Sequence, residues 1–450
     1  MTTVNKMADP RQFFVWTKGS FDSVISKCCK ILENGEKHDI TDEIIKRLKD
    51  VEAEKSGKAY RVLAFAYKEV SSDLKIDASL EEDLVFLGFT AMVDSPRPDV
   101  KPAIEACKIA GIRPIMITGD SDTTASAIAK DVGIIDSNDG VITGQELDKM
   151  SDDELLQNIE KYSVYARVSP MNKLSIVNTW RSKGKIVAMT GDGVNDAPAL
   201  KAADIGVGMG ISGTDVAKAE ADVVLMNDSF ATIVAAVGEG RKIFDNIKNV
   251  LTYLLTGNIA EVLIVFIGMF IVSTNNGEMF NPIQLLYINL ITDSVPAIML
   301  AYEKESDGIM RRPVQKNTKS FFTKYLSLRI IMSSITKTVA IIGAYLLTNS
   351  TTCAFFTLVL TEMAFAYTCR NLEIPIWKLR DANKNLNISM IVLLIIQVVF
   401  FFTPIGKIMG LEDMNAMNVL ISIIMVLVVF GLDELTKPIL VNLAHKKKER

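Results

Sequence analysis

The 450 residues are 49% hydrophobic and 23% charged, with a mean hydropathy of +0.25 and a formal net charge of −4. A single soluble domain carrying that much charge averages below zero, and a wholly membrane-embedded chain carries far less charge, so the sequence divides into a charged part and an apolar part. The same figures exclude intrinsic disorder and a nucleic-acid binder that works through phosphate contacts. Five cysteines with no CxxC pair and two histidines exclude a disulfide framework and a His-rich metal site. The opening MTTVNKMADP has no apolar run of the kind a secretory signal needs.

Up to about Lys248 short apolar runs alternate with charged stretches of helical period. Leu84–Phe89 reads as a buried strand, Lys101–Ala110 as a helix, and Ile112–Ile117 as a strand ending at Thr118-Gly119-Asp120. Ser121–Val132 and Met171–Ser182 read as helices. Ile186–Met189 reads as a strand ending at Thr190-Gly191-Asp192-Gly193-Val194-Asn195-Asp196, followed by short strands at Ile205–Val207 and Val223–Met226. Strands alternating with helices predict a parallel, doubly wound sheet with its ligand site beyond the carboxyl ends of the strands. Two strands end there in Thr-Gly-Asp. Glycine beside an acid or hydroxyl lets backbone N–H groups approach phosphate oxygens. Asp192 and Asp196 are hard oxygen donors suited to Mg2+, and Lys173 can offset phosphate charge.

After Lys248 six apolar runs predict membrane-crossing helices near Asn249–Val272, Phe280–Tyr302, Ile330–Leu347, Cys353–Cys369, Ile388–Pro404 and Asn418–Leu435. Lys- and Arg-bearing connections alternate with connections that have few or none, which predicts both termini on the cytoplasmic side of a lipid bilayer. Polar residues inside the spans are costly and point to function. Asn258 and Glu261 share one helical face of the first span. Asn289, Thr292 and Asp293 share a face of the second, and Pro296 removes the helical partner of the Thr292 carbonyl. Glu362 is a third acid at membrane depth. Freed carbonyls and carboxylates make an oxygen cage suited to a hard cation.

TGDGVND at Thr190–Asp196 resembles a signature of the P-type cation-transporting ATPases, within the haloacid-dehalogenase-like phosphotransferases. Further matches stand in order: Lys18-Gly19-Ser20 resembles a nucleotide-site motif, Arg61 in YRVLAFAY a nucleotide-domain arginine, Asp94-Ser95-Pro96-Arg97 a hinge motif with Ser in place of Pro, and Thr118-Gly119-Asp120 and Lys173 phosphorylation-site positions. The resemblance implies a Rossmann-type, haloacid-dehalogenase-like α/β domain over 81–248, preceded by a partial nucleotide-binding α+β domain over 1–80. An α-helical bundle of six spans over 249–442 and a basic cytoplasmic tail over 443–450 follow. It further implies that Lys18, Gly19 and Arg61 contact ATP, that Asp192 holds Mg2+, and that Asn195 and Asp196 organise phosphate and metal. Thr118 then bonds a phosphoryl oxygen, with Gly119 and Asp120 beside it, and Lys173 offsets developing charge.

The family's nucleophilic aspartate lies in DKTGT, and these 450 residues contain no DKTGT. By resemblance the phosphorylation sheet then lacks its central strand, and the actuator domain and four further membrane helices are absent. The expectation is the carboxyl-terminal half of a pump: a truncated product, a split protein that needs a second chain carrying the amino-terminal half, or a fragment, inactive alone. Asn258, Glu261, Asn289, Thr292, Asp293 and Glu362 resemble the Ca2+ ligands of calcium pumps, with Na+/K+ or H+ as alternative cargo. The rival readings are a membrane-anchored phosphatase, for which no nucleophilic Asp stands at a strand end, and a non-catalytic remnant.

Overall fold

The computed structural model describes residues 1–6, 12–57, 60–71, 78–93, 96–135, 140–272, 278–306, 308–312 and 322–445. The chain forms two compact units, one over Met1–Ala235 with Met310–Val314, the other over Ala236–Ile309 and Gln315–Arg450.

The first unit opens with a six-stranded sheet. Its strands are β1 (Thr2–Lys6), β2 (Gln12–Gly19), β3 (Cys28–Glu33), β4 (Glu36–Asp39), β5 (Tyr60–Ser71) and β6 (Leu84–Val93), in the order β1-β2-β5-β6-β3-β4. Period-2 alternation in β5 and β6 turns Ala64, Ala66, Leu84 and Phe86 inward, against Phe21, Val24 and Ile31. Helix α1 (Asp42–Ser56) covers this core with Ile44, Ile45 and Leu48. One expectation is corrected here. The alternation of strands and helices places Leu84–Phe89 in the parallel phosphorylation sheet. The strand instead pairs antiparallel with β5 and parallel with β3. The twelve-residue β5 offers a long ladder that β6 fills, so the first sheet runs on to Val93. Gly88 sits where the β5–β6 register shifts, at φ +141°, a backbone conformation open to glycine.

The remainder of the unit is all-parallel, in two sheets of three strands. One has the order β7-β9-β8, from β7 (Met116–Ile117), β8 (Gly140–Thr143) and β9 (Tyr162–Ala166). The other has the order β10-β11-β12, from β10 (Ala188–Gly191), β11 (Ile205–Met209) and β12 (Val223–Leu225). Among the described residues no ladder joins β7 to β10, so the single doubly wound sheet expected from the alternation is present as two parallel pieces. The strand ending at the first Thr-Gly-Asp is shorter than Ile112–Ile117, and β8 and β9 are additions to the sequence expectation. Helices α2 (Val100–Ile109) and α3 (Asp122–Asp131) pack Ile104, Ala125 and Ala129 against Val164 and Ala166. Helix α4 (Pro170–Ser182) packs Ile176 and Trp180 against Tyr165, and Val177 against Met189. Ile117 and Val187 pack against both of these last clusters, so the broken ladder is bridged by side chains.

The second unit is helical. Among the described residues, six helices are long and apolar enough to cross a membrane. They are α5 (Phe230–Ile271), the composite Pro282–Ala301, and α8 (Lys324–Thr348), α9 (Thr351–Thr368), α10 (Lys384–Phe402) and α11 (Ala416–His445). All six expected spans fall on these helices. The composite is α6 (Pro282–Tyr287), a π-helical stretch Ile288–Asp293, and α7 (Ser294–Ala301). Helix α9 is the central one: nearly all its side chains are buried, including Phe355, Leu358, Val359, Glu362 and Phe365. By contrast α10 and α11 expose Ile391, Val392, Ile395, Leu427 and Val428 to their surroundings, the all-round apolarity of helices that face lipid.

Candidate functional sites: strand-end loops and a buried oxygen cluster

In the first unit, Lys18 and Gly19 end β2, and Lys18 borders a cavity of about 530 Å³. Trp16, Thr17, Phe65, Leu87, Gly88 and Thr90 complete much of its wall. Trp16, Phe14 and Tyr67 form a three-ring cluster on the sheet, each ring against the other two, and Trp16 stays 41% exposed, so an aromatic face is available at the cavity. Lys18 is exposed and can reach a bound anion. Arg61 is on β5, paired through its backbone with Met92, and its side chain lies outside the described residues. Asp94 and Ser95 also lie outside them. Arg97 donates from Nη1 to the carbonyls of Asn227 (3.1 Å) and Asp228 (2.9 Å).

Thr118-Gly119-Asp120 leaves β7 as a tight loop. The Thr118 N–H donates to the Tyr165 carbonyl (2.9 Å), and the Asp120 N–H donates to Thr118 Oγ1 (3.1 Å). Ser121 then caps α3, accepting from the Thr124 N–H (3.3 Å). The second loop leaves β10 at Gly191. A Cβ on Gly191 would lie 2.4 Å from Asp196 Cβ, so only glycine admits the turn that brings Asp196 back under the strand end. Asp196 is 5% exposed. Its Oδ2 accepts from the backbone N–H groups of Asp192 (3.2 Å) and Gly193 (3.1 Å), and its Oδ1 accepts from Lys173 Nζ (2.5 Å). Lys173 is aimed by the start of α4. Ser169 and Asn172 form a reciprocal capping box with Pro170 at the first turn, and Asn172 Nδ2 donates to Asp148 (2.7 Å).

Asp192 and Asn195 are exposed at this same strand end. Asp196 is therefore the organiser, tied to backbone and lysine, and Asp192 is the carboxylate left to solvent. Its hard oxygens are of the kind a divalent cation takes. After β12, Asp228 accepts from the N–H groups of Gly210 (2.7 Å), Ile211 (3.0 Å) and Ser212 (2.7 Å). These bonds, that from Ile211 foremost, hold its carboxyl down at about 2. The sequence reading did not single out Asp228; its one signal was an acid directly after a strand end.

In the second unit, Glu261, Thr292, Asp293 and Glu362 are all buried, at 7%, 0%, 2% and 0% exposure. Asn289 reaches Glu261, Tyr253 reaches Asp293, and the Glu362 carboxyl lies against Gly257 one turn from Tyr253 and Glu261 on the same helix. Asn289 is exposed, and its Nδ2 donates to Glu261 Oε2 (3.3 Å) and to the Leu285 carbonyl (3.0 Å). The Tyr253 hydroxyl lies 3.5 Å from Asp293 Oδ1 and donates to the Thr292 carbonyl at 3.4 Å. The helix is irregular ahead of Pro296, as a π-helical stretch over Ile288–Asp293, and Ser294 Oγ just after it donates to the Asn289 carbonyl (2.8 Å). Glu261 Oε1, Thr292 Oγ1 and Glu362 Oε1 are buried without a hydrogen-bond partner. Asn258 is exposed on α5 and does not join this group. Among the described residues no three His, Cys, Asp or Glu side chains converge tightly enough to hold a metal ion by themselves. The orphaned oxygens fit a hard cation in kind.

The sequence reading missed Lys337. It is 0% exposed on α8, and its Nζ donates to Glu362 Oε2 at 2.8 Å. A lone lysine inside an apolar run was the available signal.

Comparison with known proteins agrees with both regions. Residues 1–99 match a family model described as P-type ATPase, cytoplasmic domain N, and residues 277–439 match one described as cation transporting ATPase, C-terminus. A calcium-transporting ATPase of Listeria monocytogenes is 48% identical over 309 residues, which is 68% of this chain and 34% of that protein. Calcium-transporting ATPase 1 of Lactococcus lactis is 42% identical over 387 residues, 84% of this chain and 43% of that protein. Potassium-transporting ATPase alpha chain 2 of Homo sapiens is 41% identical over 353 residues, 70% of this chain and 34% of that protein. The chain belongs to the P-type cation-transporting ATPases. It spans less than half the length of each of these relatives.

Proposed function

We propose that this chain is the nucleotide-binding, phosphate-handling and cargo-binding part of an ATP-driven cation pump, and that its cargo is Ca2+. The observation that carries the reading is the cluster of buried, partly orphaned oxygens at Glu261, Thr292 and Asp293, set where a membrane helix turns π-helical. Unpaired carboxylates at membrane depth are expensive unless a cation visits them. Asn289 beside Glu261 adds a neutral oxygen donor of the type calcium accepts.

In this reading the aromatic-walled cavity at Lys18 takes the ATP base, with Gly19 next along the strand and Arg61 on the same sheet. The two parallel sheets form a haloacid-dehalogenase-like phosphotransfer domain. Thr118, Gly119 and Asp120 on one side and Asp192, Asn195 and Asp196 on the other flank the transferred phosphoryl group. Mg2+, when bound at Asp192, neutralises phosphate charge, while Lys173 stays anchored through Asp196. Catalysis further needs a segment bearing the nucleophilic aspartate, on this polypeptide or on a second one. The unladdered edges of β7 and β10 are where a parallel strand carrying it fits. The alternation of basic connections supports both termini on the cytoplasmic side.

The test is co-expression with a candidate amino-terminal half that carries DKTGT. The expected result is calcium-dependent, hydroxylamine-sensitive phosphorylation of the partner, lost with Asp192→Ala and losing its calcium dependence with Glu261→Gln or Asp293→Asn. ATP turnover by the 450-residue chain alone, abolished by Asp192→Ala, overturns the need for such a partner. Phosphorylation stimulated by K+ in place of Ca2+ overturns the cargo. The similarity to a potassium-transporting relative makes that arm worth running.

A further inference from the structure

A pair of opposite charges lies beside the oxygen cluster, in the driest part of the second unit. Lys337 on α8 and Glu362 on α9 are both 0% exposed and 2.8 Å apart. The Glu362 carboxyl is pressed against α5, where a Cβ on Gly257 would lie 3.3 Å from its Cδ and both oxygens. Ser334, one turn before Lys337, donates to the Thr256 carbonyl (3.0 Å) and ties α8 to α5 at the same level. Lys337 Nζ lies 3.7 Å from the centroid of the Phe365 ring, and that ring stacks on Tyr253 at 6.3 Å. Tyr253 in turn touches Asp293 and Thr292. The ammonium is therefore held by a carboxylate on one side and a π face on the other, in contact with the wall of the cargo cluster.

The charge balance is informative. The groups that act on Asp293 are Glu362, Glu261, Lys337 and Tyr253. Three carboxyl groups set against one lysine can carry at most two net negative charges, which one divalent cation cancels. A second divalent ion would need Glu362 as a ligand and would sit against an ammonium in a medium that screens charge poorly. We propose that Lys337 is an internal cation, a specificity-determining residue that keeps Glu362 out of the cargo shell and limits this chain's cluster to one divalent ion at Glu261, Asn289 and Asp293. The inference rests on the reading of that cluster as the cargo site.

Equilibrium binding of radioactive calcium to the full chain in lipid nanodiscs decides it. Lys337→Gln with Glu362→Gln removes both charges of the pair together and leaves calcium affinity within about threefold of the unsubstituted chain, with no added ion. Lys337→Gln alone frees Glu362 and raises the bound calcium by about one ion per chain, and Lys337→Arg shows no gain. A loss of affinity greater than about tenfold in the doubly substituted chain overturns the proposal, because Glu362 would then be a ligand in spite of Lys337. A folded Lys337→Gln chain that gains no ion also overturns it. Should Lys337→Gln not fold, the doubly substituted chain decides alone. If the unsubstituted chain binds no calcium, the cargo reading fails, and Lys337→Gln then decides the role of Lys337: acquired binding supports it and no binding overturns it.

Discussion

The strand-end site of the first unit and the polar cluster of the second both gather carboxylates, but they hold them by opposite means. Around Asp196 and Asp228 the backbone does the holding. Five N–H groups, from Asp192, Gly193, Gly210, Ile211 and Ser212, converge on two carboxylates, and water reaches the neighbouring Asp192 and Asn195. Around Glu261, Asp293 and Glu362 the backbone donors are used up inside helices, so the partners are side chains: Asn289, Tyr253 and Lys337. A loop beyond a strand has free N–H groups to offer an anion; a membrane helix has none, and must bring an opposite charge from another helix or leave an oxygen unpaired. The first arrangement suits a charged ligand that comes and goes through water. The second suits a cation that replaces the missing partner.

This contrast can be broken experimentally. The largest effect is expected for Lys337→Met. It strands Glu362 without charge compensation and lowers stability by about 3–5 kcal/mol, whereas Lys337→Met with Glu362→Gln recovers most of the loss. Thermal melting of the helical circular-dichroism signal in lipid nanodiscs reads both, and equal losses in the two variants would remove the ion pair from the account. Next comes Asp196→Ala, which leaves two N–H groups and the Lys173 ammonium without their acceptor. A cost of about 2–3 kcal/mol is expected, seen as faster amide exchange through β10 and β11 with the helical unit unchanged.

A pH effect follows from Asp228. Its carboxyl is lowered from 3.8 to about 2, so its contribution to stability is complete above about 4 and is lost as pH falls through 2. Asp228→Asn should lose this acid-side dependence in the Gly210–Ser212 loop, which amide exchange between pH 2 and pH 5 would detect; an unchanged profile would discount the three N–H bonds. The smallest expected effect is Asp192→Ala. Its exposed carboxylate holds nothing in place, so stability should change by no more than about 0.5 kcal/mol while magnesium-dependent phosphorylation with a partner chain is abolished. A large stability loss there would mean that the exposed carboxylate is structural after all.

Much of this was legible in advance. Six spans followed from long apolar runs, because length and hydropathy are local properties that the bilayer reads one helix at a time. The two Thr-Gly-Asp loops followed because a turn that needs glycine beside an acid leaves its mark within seven residues. Glu261 and Asp293 followed because an acid in an apolar run stands out by itself. The partners of those groups were not legible. Glu362 pairs with Lys337, 25 residues away on another helix, and nothing in either span names the other. Strand β9, Tyr162–Ala166, is short and sits between two helices, so its period is too brief to distinguish it. The place of β6 beside β3 depends on a pairing across more than fifty residues, which the pattern of neither strand encodes.

Composition and local pattern thus determined which stretches are charged, which helices are long and apolar enough to cross a membrane, and where the Thr-Gly-Asp turns and the acids within apolar runs fall. Only the tertiary structure decided which of those residues are tied to one another and which are left with an unpaired oxygen. The physical reason is range. Hydropathy and turn chemistry act over a few residues, whereas a buried charge is settled by whatever group another element brings within 3 Å of it.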